Sequence, residues 1–451
     1  MRSTDAFSWN MERDPALRST VVTVFWLDKA PDWDTLVHRL DRVSRQMVSL
    51  RQRVVEPPLH LATPRWIVDP HFDLSWHLRR VAAPAPGSRD TVLDMARQSA
   101  MDAFDRQRPL WELTLVEALE GGAAAVILKM HHSLTDGVGG ISRLTILFDL
   151  SRAPDDLGPL PSEPVGEHVD GLDLVTGAAG SVIGQFGHRA LRGAEAAVPA
   201  LVHTVRHPVR TVRDAAALAG SVYRLAAPVS DTMSPVMVER AMTRHLATME
   251  VPLEPLRQAS RNVGVTLNAA FLAAVTGALR RYHERHGSTV ESLRVVMPIN
   301  LRSEQDREWG NRITLQRVTL PVSEPDPAVR MRLVLAATKT AREELSLPYT
   351  DVVAEGLNLL PTAYVGGMLK HIDFLASNVP GSPAPIYLGG AKVTGFFAFG
   401  PTIGTAFNVT LVSHESICDL GINIDTTAVP DPETLLECLQ ESFEEILSLA
   451  G

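Results

Sequence analysis

Apolar residues return at three- and four-residue steps between Asp34 and Val54, at Leu36, Leu40, Val43, Met47 and Leu50. That spacing predicts an amphipathic helix. Ala123–Met130 differs: it is an apolar run of β type, read as a strand that leads straight into two histidines. Ile141–Leu150 reads as a short helix after them. Further on, "LRVVMPINLR" (Leu293–Arg302) and "ITLQRVTLPV" (Ile313–Val322) read as strands. The chain closes on a helix begun by Asp431 and Pro432, with a stripe at Leu435, Leu436, Leu439, Phe443, Ile446 and Leu447. Val393–Ser413 carries no charge over 21 residues, enough to span a bilayer. Gly395, Gly400, Pro401 and Gly404 interrupt it, so it is read as buried strands broken by a turn. Helix and strand patterns alternate with no internal repeat, which predicts an α/β class with mixed sheets.

At 451 residues the chain is long enough for two domains with full cores. Pro154, Pro159, Pro161 and Pro164, mixed with Asp, Gly and Ser, mark a linker. They divide the chain into residues 1–153, a connector over 154–235, and residues 236–451. Within the connector, Leu174–Ser230 is rich in Ala, Val and Gly and holds six arginines against two acids, a net +4 in a chain of net −9. Two readings stay open for it. It is a basic amphipathic surface that meets an anionic membrane or a lipid body, or it is a connector whose apolar face packs on the protein itself. The acidic balance, with a pI near 5.9, argues against nucleic acid as a partner. With only Cys418 and Cys438, a disulfide framework and a cysteine-based metal site are excluded, which fits a reducing compartment. The first 20 residues hold no apolar core, so no signal peptide is expected.

The candidate chemistry lies in "KMHHSLTDGVGG" (Lys129–Gly140). Adjacent strand residues face opposite ways. If the strand continues, His132 shares a face with Val126, Leu128 and Met130, and His131 shares the other with Ile127 and Lys129. One metal ion could not easily take both rings, so no metal is expected. The alternative is one working histidine, a base near neutral pH, and one structural histidine. Asp136 then orients the loop or holds an arginine, while Gly137, Gly139 and Gly140 permit a tight turn and close backbone approach. A bare pair of histidines before a glycine turn is more often core packing. Two histidines, three spacers and Asp-Gly after an apolar strand form a far more specific pattern.

"HHSLTDG" resembles the HHxxxDG signature of CoA-dependent acyltransferases. "RPLWELTLVEAL" (Arg108–Leu119), "MPINLR" (Met297–Arg302), "GNRITLQRVTLPV" (Gly310–Val322), "SNVPGSPAPIYLGGAKV" (Ser377–Val393) and "AFNVTLVSHESICDLGINID" (Ala406–Asp425) resemble blocks of one branch. That branch is the bacterial wax ester synthase/acyl-CoA:diacylglycerol acyltransferase family. "STDAFSWNMER" (Ser3–Arg13) is similar to its opening pattern, with Asp5, Phe7 and Glu12. The resemblance spans nearly the whole chain except roughly Pro154–Ser234.

The resemblance implies two α/β domains with a tunnel between them, and transfer of a long-chain acyl group from acyl-CoA to diacylglycerol or a long-chain alcohol. It makes His132 the general base and His131 and Asp136 supporting residues, with Arg302, Arg51 or Arg53 as the partner of Asp136. Glu12, Gly137, Asn268, Ser377 and Asn378 fall at substrate-binding positions. Asn268 reads equally as an oxyanion donor and as a helix N-cap. Beside it, Ala269 replaces the family's aspartate. Ser377 and Asn378 read more readily as a turn, and Pro109, Leu110 and Trp111 as structural. No nucleophilic serine is required, and Gly-x-Ser-x-Gly does not occur. No cofactor is implied beyond acyl-CoA as co-substrate. The partners implied are acyl-CoA, a lipid acceptor and a membrane or lipid-droplet surface, for a cytoplasmic or peripheral protein. Two other readings remain: a condensation-type acyltransferase with a different acceptor, and a non-enzymatic lipid-binding member, for which Ala269 is the one favourable feature.

Overall fold

The computed structural model describes residues 1, 3–57, 64–134, 145–153, 157–169, 173–174, 229–300, 313–343 and 362–451. In chain order the strands are β1 (Thr20–Leu27), β2 (Gln52–Val55), β3 (Arg65–Val68), β4 (Leu78–Ala82), β5 (Trp111–Glu117), β6 (Ala124–His131), β7 (Arg244–Pro252), β8 (Ser292–Asn300), β9 (Ile313–Pro321), β10 (Phe374–Pro380), β11 (Tyr387–Leu388), β12 (Ala391–Phe399), β13 (Phe407–His414) and β14 (Ile417–Asp425). The helices are α1 (Ser3–Met11), α2 (Trp33–Gln46), α3 (Leu74–His77), α4 (Arg89–Met101), α5 (Leu253–Val263), α6 (Leu267–Arg285), α7 (Pro327–Arg342), α8 (Thr362–Leu369) and α9 (Pro432–Leu447).

Two six-stranded sheets carry the fold, ordered β11-β12-β1-β6-β5-β4 and β7-β14-β13-β10-β8-β9, with β2 and β3 paired apart. Both are mixed: β4 runs parallel to β5, and β10 parallel to β8 and β13. Strand β6 is buried at every position because helices or the other half cover both faces, hence its apolar run, interrupted before His131 only by the buried Lys129. On one face Phe25, Leu113, Val126 and Leu128 pack with Leu36, Leu40 and Val43 of α2. On the other, Val22, Val24, Ile127 and Phe397 pack with Val92 and Ala96 of α4 and reach Leu246 of β7 in the second sheet. The second half closes its own core around α6, with Phe271, Leu272, Val275 and Leu279 against Phe407, Leu439 and Phe443.

The uncharged run forms strands broken by a turn, as its composition predicts, but the strands part company. Strand β12 joins the first sheet beside β1, and β13 lies inside the second. Residues 387–399, assigned by sequence to the C-terminal part, thus complete the N-terminal sheet. Gly421 of β14 lets the layers meet, since a Cβ there would run into the Ala398 carbonyl. Among the described residues no single helix is long and apolar enough to cross a membrane.

Three elements differ from expectation. The helix expected over 34–54 ends at Gln46, and its stripe continues through a 3-10 turn at Val48–Arg51, where the Arg51 fork returns to Ser44 and Asp41. Of the helix expected over Ile141–Leu150, residues 145–150 are described: Thr145–Leu147 is a 3-10 turn, and Asp149 bridges to Tyr387. Asp431 sits at the N-cap of α9 without a capping bond, and its Oδ1 accepts the Tyr282 hydroxyl at 2.7 Å instead. Of the basic stretch Leu174–Ser230, residues 175–228 lie outside the described residues.

Candidate active site

Strand β6 delivers both histidines to the end of the first sheet. His131 is its last residue, opposite Thr20, and donates its N–H to the Leu110 carbonyl at 3.0 Å. His132 starts a 3-10 turn and donates its N–H to the Ser19 carbonyl at 2.8 Å. Strand alternation therefore stops between them: His131 is fully buried and His132 is half-buried.

The His131 ring is held on every side. Its Nδ1 accepts the Ser133 N–H at 3.1 Å and lies 2.5 Å from the Ser133 hydroxyl. With Nδ1 accepting, the ring proton belongs on Nε2, which faces Glu12 Oε1 at 3.1 Å. Trp9 and Phe104 stand edge-on to the ring, with centroids at 6.1 and 6.2 Å. Arg106 lies 4.0 Å over Trp9, and the Lys129 ammonium 4.5 Å over Phe104. Burial pulls the Lys129 ammonium below its ordinary pKa. Both ring nitrogens of His131 thus have protein partners, so a metal bridging the two histidines would have to break this network.

Glu12, expected among substrate-binding residues, is placed here as a brace for His131. Its Oε1 also accepts the Ser19 N–H at 2.5 Å. Burial pushes its carboxyl up, yet the His131 hydrogen bond, the Ser19 N–H and Arg18 together hold it below its ordinary value.

A second group forms in the other half. Asn268 lies in the first turn of α6, but the N-cap is Thr266, whose hydroxyl accepts the Ala269 N–H at 3.2 Å. The capping role expected for Asn268 is therefore filled by another residue. Its Oδ1 instead accepts the Asn378 side-chain amide at 3.4 Å. Ser377 and Asn378 are not a turn: they lie inside β10, opposite Thr410 and Leu411 of β13. Ala269 is fully buried in the second core. No hydrogen bond joins the His131 and Asn268 groups among the described residues. A cleft of about 430 Å³ beside α2 is lined by none of these residues.

Asp136, Gly137 and the candidate partner Arg302 lie outside the described residues. The other two candidates have partners: Arg51 meets Asp41, Glu163 and Ser44, and Arg53 lies 3.8 Å from Asp69. In the Pro109–Trp111 segment, the Leu110 carbonyl holds His131, while Trp111 donates its indole N–H to the Leu50 carbonyl at 2.7 Å and stacks on His77.

A family model described as the wax ester synthase/diacylglycerol acyltransferase catalytic domain matches residues 1–271, and one described as the C-terminal domain matches residues 309–447. The chain belongs to this family. A Mycobacterium tuberculosis H37Rv protein named as a diacylglycerol O-acyltransferase is 36% identical over 443 residues, 98% of this chain and 90% of that protein. Another from the same species, strain CDC 1551, is 31% identical, covering 87% of this chain and 85% of its own length. The solved wax ester synthase/diacylglycerol acyltransferase of Marinobacter aquaeolei VT8 superposes with a TM-score of 0.63 at 22% identity, over 99% of this chain and 98% of that one. The first condensation domain of the calcium-dependent antibiotic synthetase also gives 0.63, at 16% identity, over 100% and 95%. At such identities the two structures speak for the fold alone. The protein is an acyltransferase with the two-domain fold of these structures.

In this wax ester synthase/diacylglycerol acyltransferase family member, sequence reasoning missed Ser133, Trp9 and Phe104 as the residues packed around His131. Ser133 was findable as a short polar side chain two residues from His131. Trp9 and Phe104 carry no local signal, because only the fold brings them to the ring.

Proposed function

We propose that the protein moves a long-chain acyl group from acyl-CoA to the hydroxyl of diacylglycerol, with a long-chain alcohol as the other acceptor, and that His132 is the general base. The observation that carries this reading is the full engagement of His131 by Glu12 and Ser133. It makes His131 the structural histidine, and the motif's second histidine, His132, half-buried one residue past the strand, is the one assigned to the substrate.

In this mechanism His132 takes the acceptor hydroxyl proton as that oxygen attacks the thioester carbonyl carbon. General-base help of this kind is worth about 10²–10⁴-fold. The tetrahedral intermediate collapses by breaking the C–S bond, and the imidazolium returns the proton to the departing CoA sulfur. Asn268 presents its Oδ1 to Asn378. Its Nδ2 is then the end available to donate to the developing oxyanion. Asp136, as a supporting residue, and Gly137, at a substrate-binding position, complete the motif after His132. Acyl-CoA and acceptor approach from opposite sides of a tunnel between the halves, and exclusion of water there protects the thioester. The protein meets its lipid at a membrane or lipid-droplet surface, for which the net +4 of Leu174–Ser230 is the sequence feature.

The experiment supplies labelled palmitoyl-CoA with diacylglycerols, monoacylglycerols and long-chain alcohols, and reads labelled product with free CoA. Labelled triacylglycerol is the expected outcome. Tight acyl-CoA binding with no transfer to any acceptor would favour the non-enzymatic reading.

A further inference from the structure

Helix α2 carries Arg39, Arg42 and Arg45 at three-residue steps, and Arg51 follows it. Each meets the chain leaving the active-site stretch, in matching order. Arg39 pairs with Asp149, Arg42 donates to the Gly158 carbonyl, Arg45 to the Pro161 carbonyl at 3.2 Å, and Arg51 to Glu163. The outer three contacts hold a proline-rich strap against the surface, where the Glu163 side chain is 59% exposed.

The innermost contact is different. The Arg39 and Asp149 side chains are 8% and 2% exposed. Asp149 also exchanges both backbone hydrogen bonds with Tyr387 of β11, each at 2.9 Å. One residue thereby ties α2, the end of the stretch that begins at His132, and a sheet edge contributed from the far end of the chain. Just before it Leu147 and Phe148 are buried, with the Phe148 ring 5.2 Å from Phe25 on β1.

A buried ion pair is a poor source of stability. Desolvation offsets most of the attraction, and well-packed apolar replacements often leave a protein as stable or more so. What such a pair fixes is geometry, because guanidinium and carboxylate fit in few arrangements. We infer that Arg39 and Asp149 are positioning residues for acyl transfer, setting where the histidine-bearing stretch rejoins the first sheet. This rests on the reading of His132 as base only in naming what is positioned.

The test uses the full chain and the palmitoyl-CoA assay. The double variant Arg39→Met/Asp149→Leu keeps or raises the thermal midpoint, while kcat falls roughly 10- to 100-fold, the scale of a small misplacement. KM for palmitoyl-CoA stays within about threefold, as a loss of positioning without a loss of uniform binding requires. If that variant does not fold, Arg39→Gln/Asp149→Asn, a neutral hydrogen-bonded pair, is read in the same way and also slows kcat. Glu163→Gln, on the outer strap, leaves kcat unchanged. A folded double variant turning over at the wild-type rate overturns the inference, as does an equal kcat loss in Glu163→Gln. An active His132→Ala protein beside slow Arg39/Asp149 variants would retire the base assignment and leave this inference standing.

Discussion

Ser133 gives its N–H to His131 Nδ1, so the single ring proton faces Glu12, and the carboxylate receives a charge-assisted bond. Glu12→Gln keeps an acceptor oxygen for both His131 and the Ser19 N–H but removes the charge. It is expected to lower kcat by about tenfold, or roughly 1.4 kcal/mol. Because the folded carboxyl is held below its ordinary 4.5, its contribution to stability is present above that value and is lost as pH falls through the folded value. Urea midpoints should therefore drop further in the wild type than in Glu12→Gln between about pH 5 and pH 3. Parallel pH curves for the two proteins would contradict the brace. Ala269 permits a second prediction. An aspartate there would gain up to about 1 kcal/mol from the α6 dipole. Burying an unpaired carboxylate costs on the order of several kcal/mol, or forces it neutral and forfeits that gain. Ala269→Asp should thus lower the thermal midpoint, and an unchanged midpoint would mean that the site holds a partner for the acid. At this scale the histidine pair was legible because its spacing is specific. The cap reading of Asn268 and the turn reading of Ser377 and Asn378 did not hold. Thr266 supplies a better-placed cap, and pairing with β13 overrides the turn composition of "SNVPG".

The crossing of β12 and β14 is where an element prediction can be made. Asp419 on β14 accepts the Phe396 N–H of β12 at 2.8 Å and lies opposite Glu250 of β7. Burial pushes its carboxyl up to about 7, with the Phe396 N–H and Arg89 opposing and Glu250 adding. The folded value exceeds the ordinary 3.8, so the stabilising contribution is complete below that value and is lost as pH rises through about 7. Raising pH from 5 to 8 should cost the wild type more stability than Asp419→Asn, read as urea midpoints at the two values. An equal loss in both proteins would show that Asp419 does not sense pH. Five elements were legible from the sequence pattern: α2, β6, β8, β9 and α9 lie close to their expected places. Helix α2 is shorter than its stripe, because a 3-10 turn can carry Leu50 into the same core.

Across the whole molecule, the exchange of β11 and β12 into the first sheet could not be read from the chain. An uncharged run reports burial but not which sheet does the burying. The proline-rich connector reads as a linker by composition, yet Gly158, Pro161 and Glu163 lie against α2 and the turn after it, held by backbone carbonyls and a glutamate that composition does not reveal. The candidate site residues come from both halves: Glu12, just after α1, braces His131, while Asn268 and Asn378 approach each other in the second half. The account depends most on the division of labour between the two histidines. The decisive measurement is transfer of labelled palmitate from palmitoyl-CoA to diacylglycerol by His132→Ala, with circular dichroism and thermal midpoint recorded on the same preparation. The account predicts a folded protein that still binds palmitoyl-CoA and forms no labelled triacylglycerol above background. Near-wild-type release of CoA and product from a well-folded His132→Ala protein would contradict it.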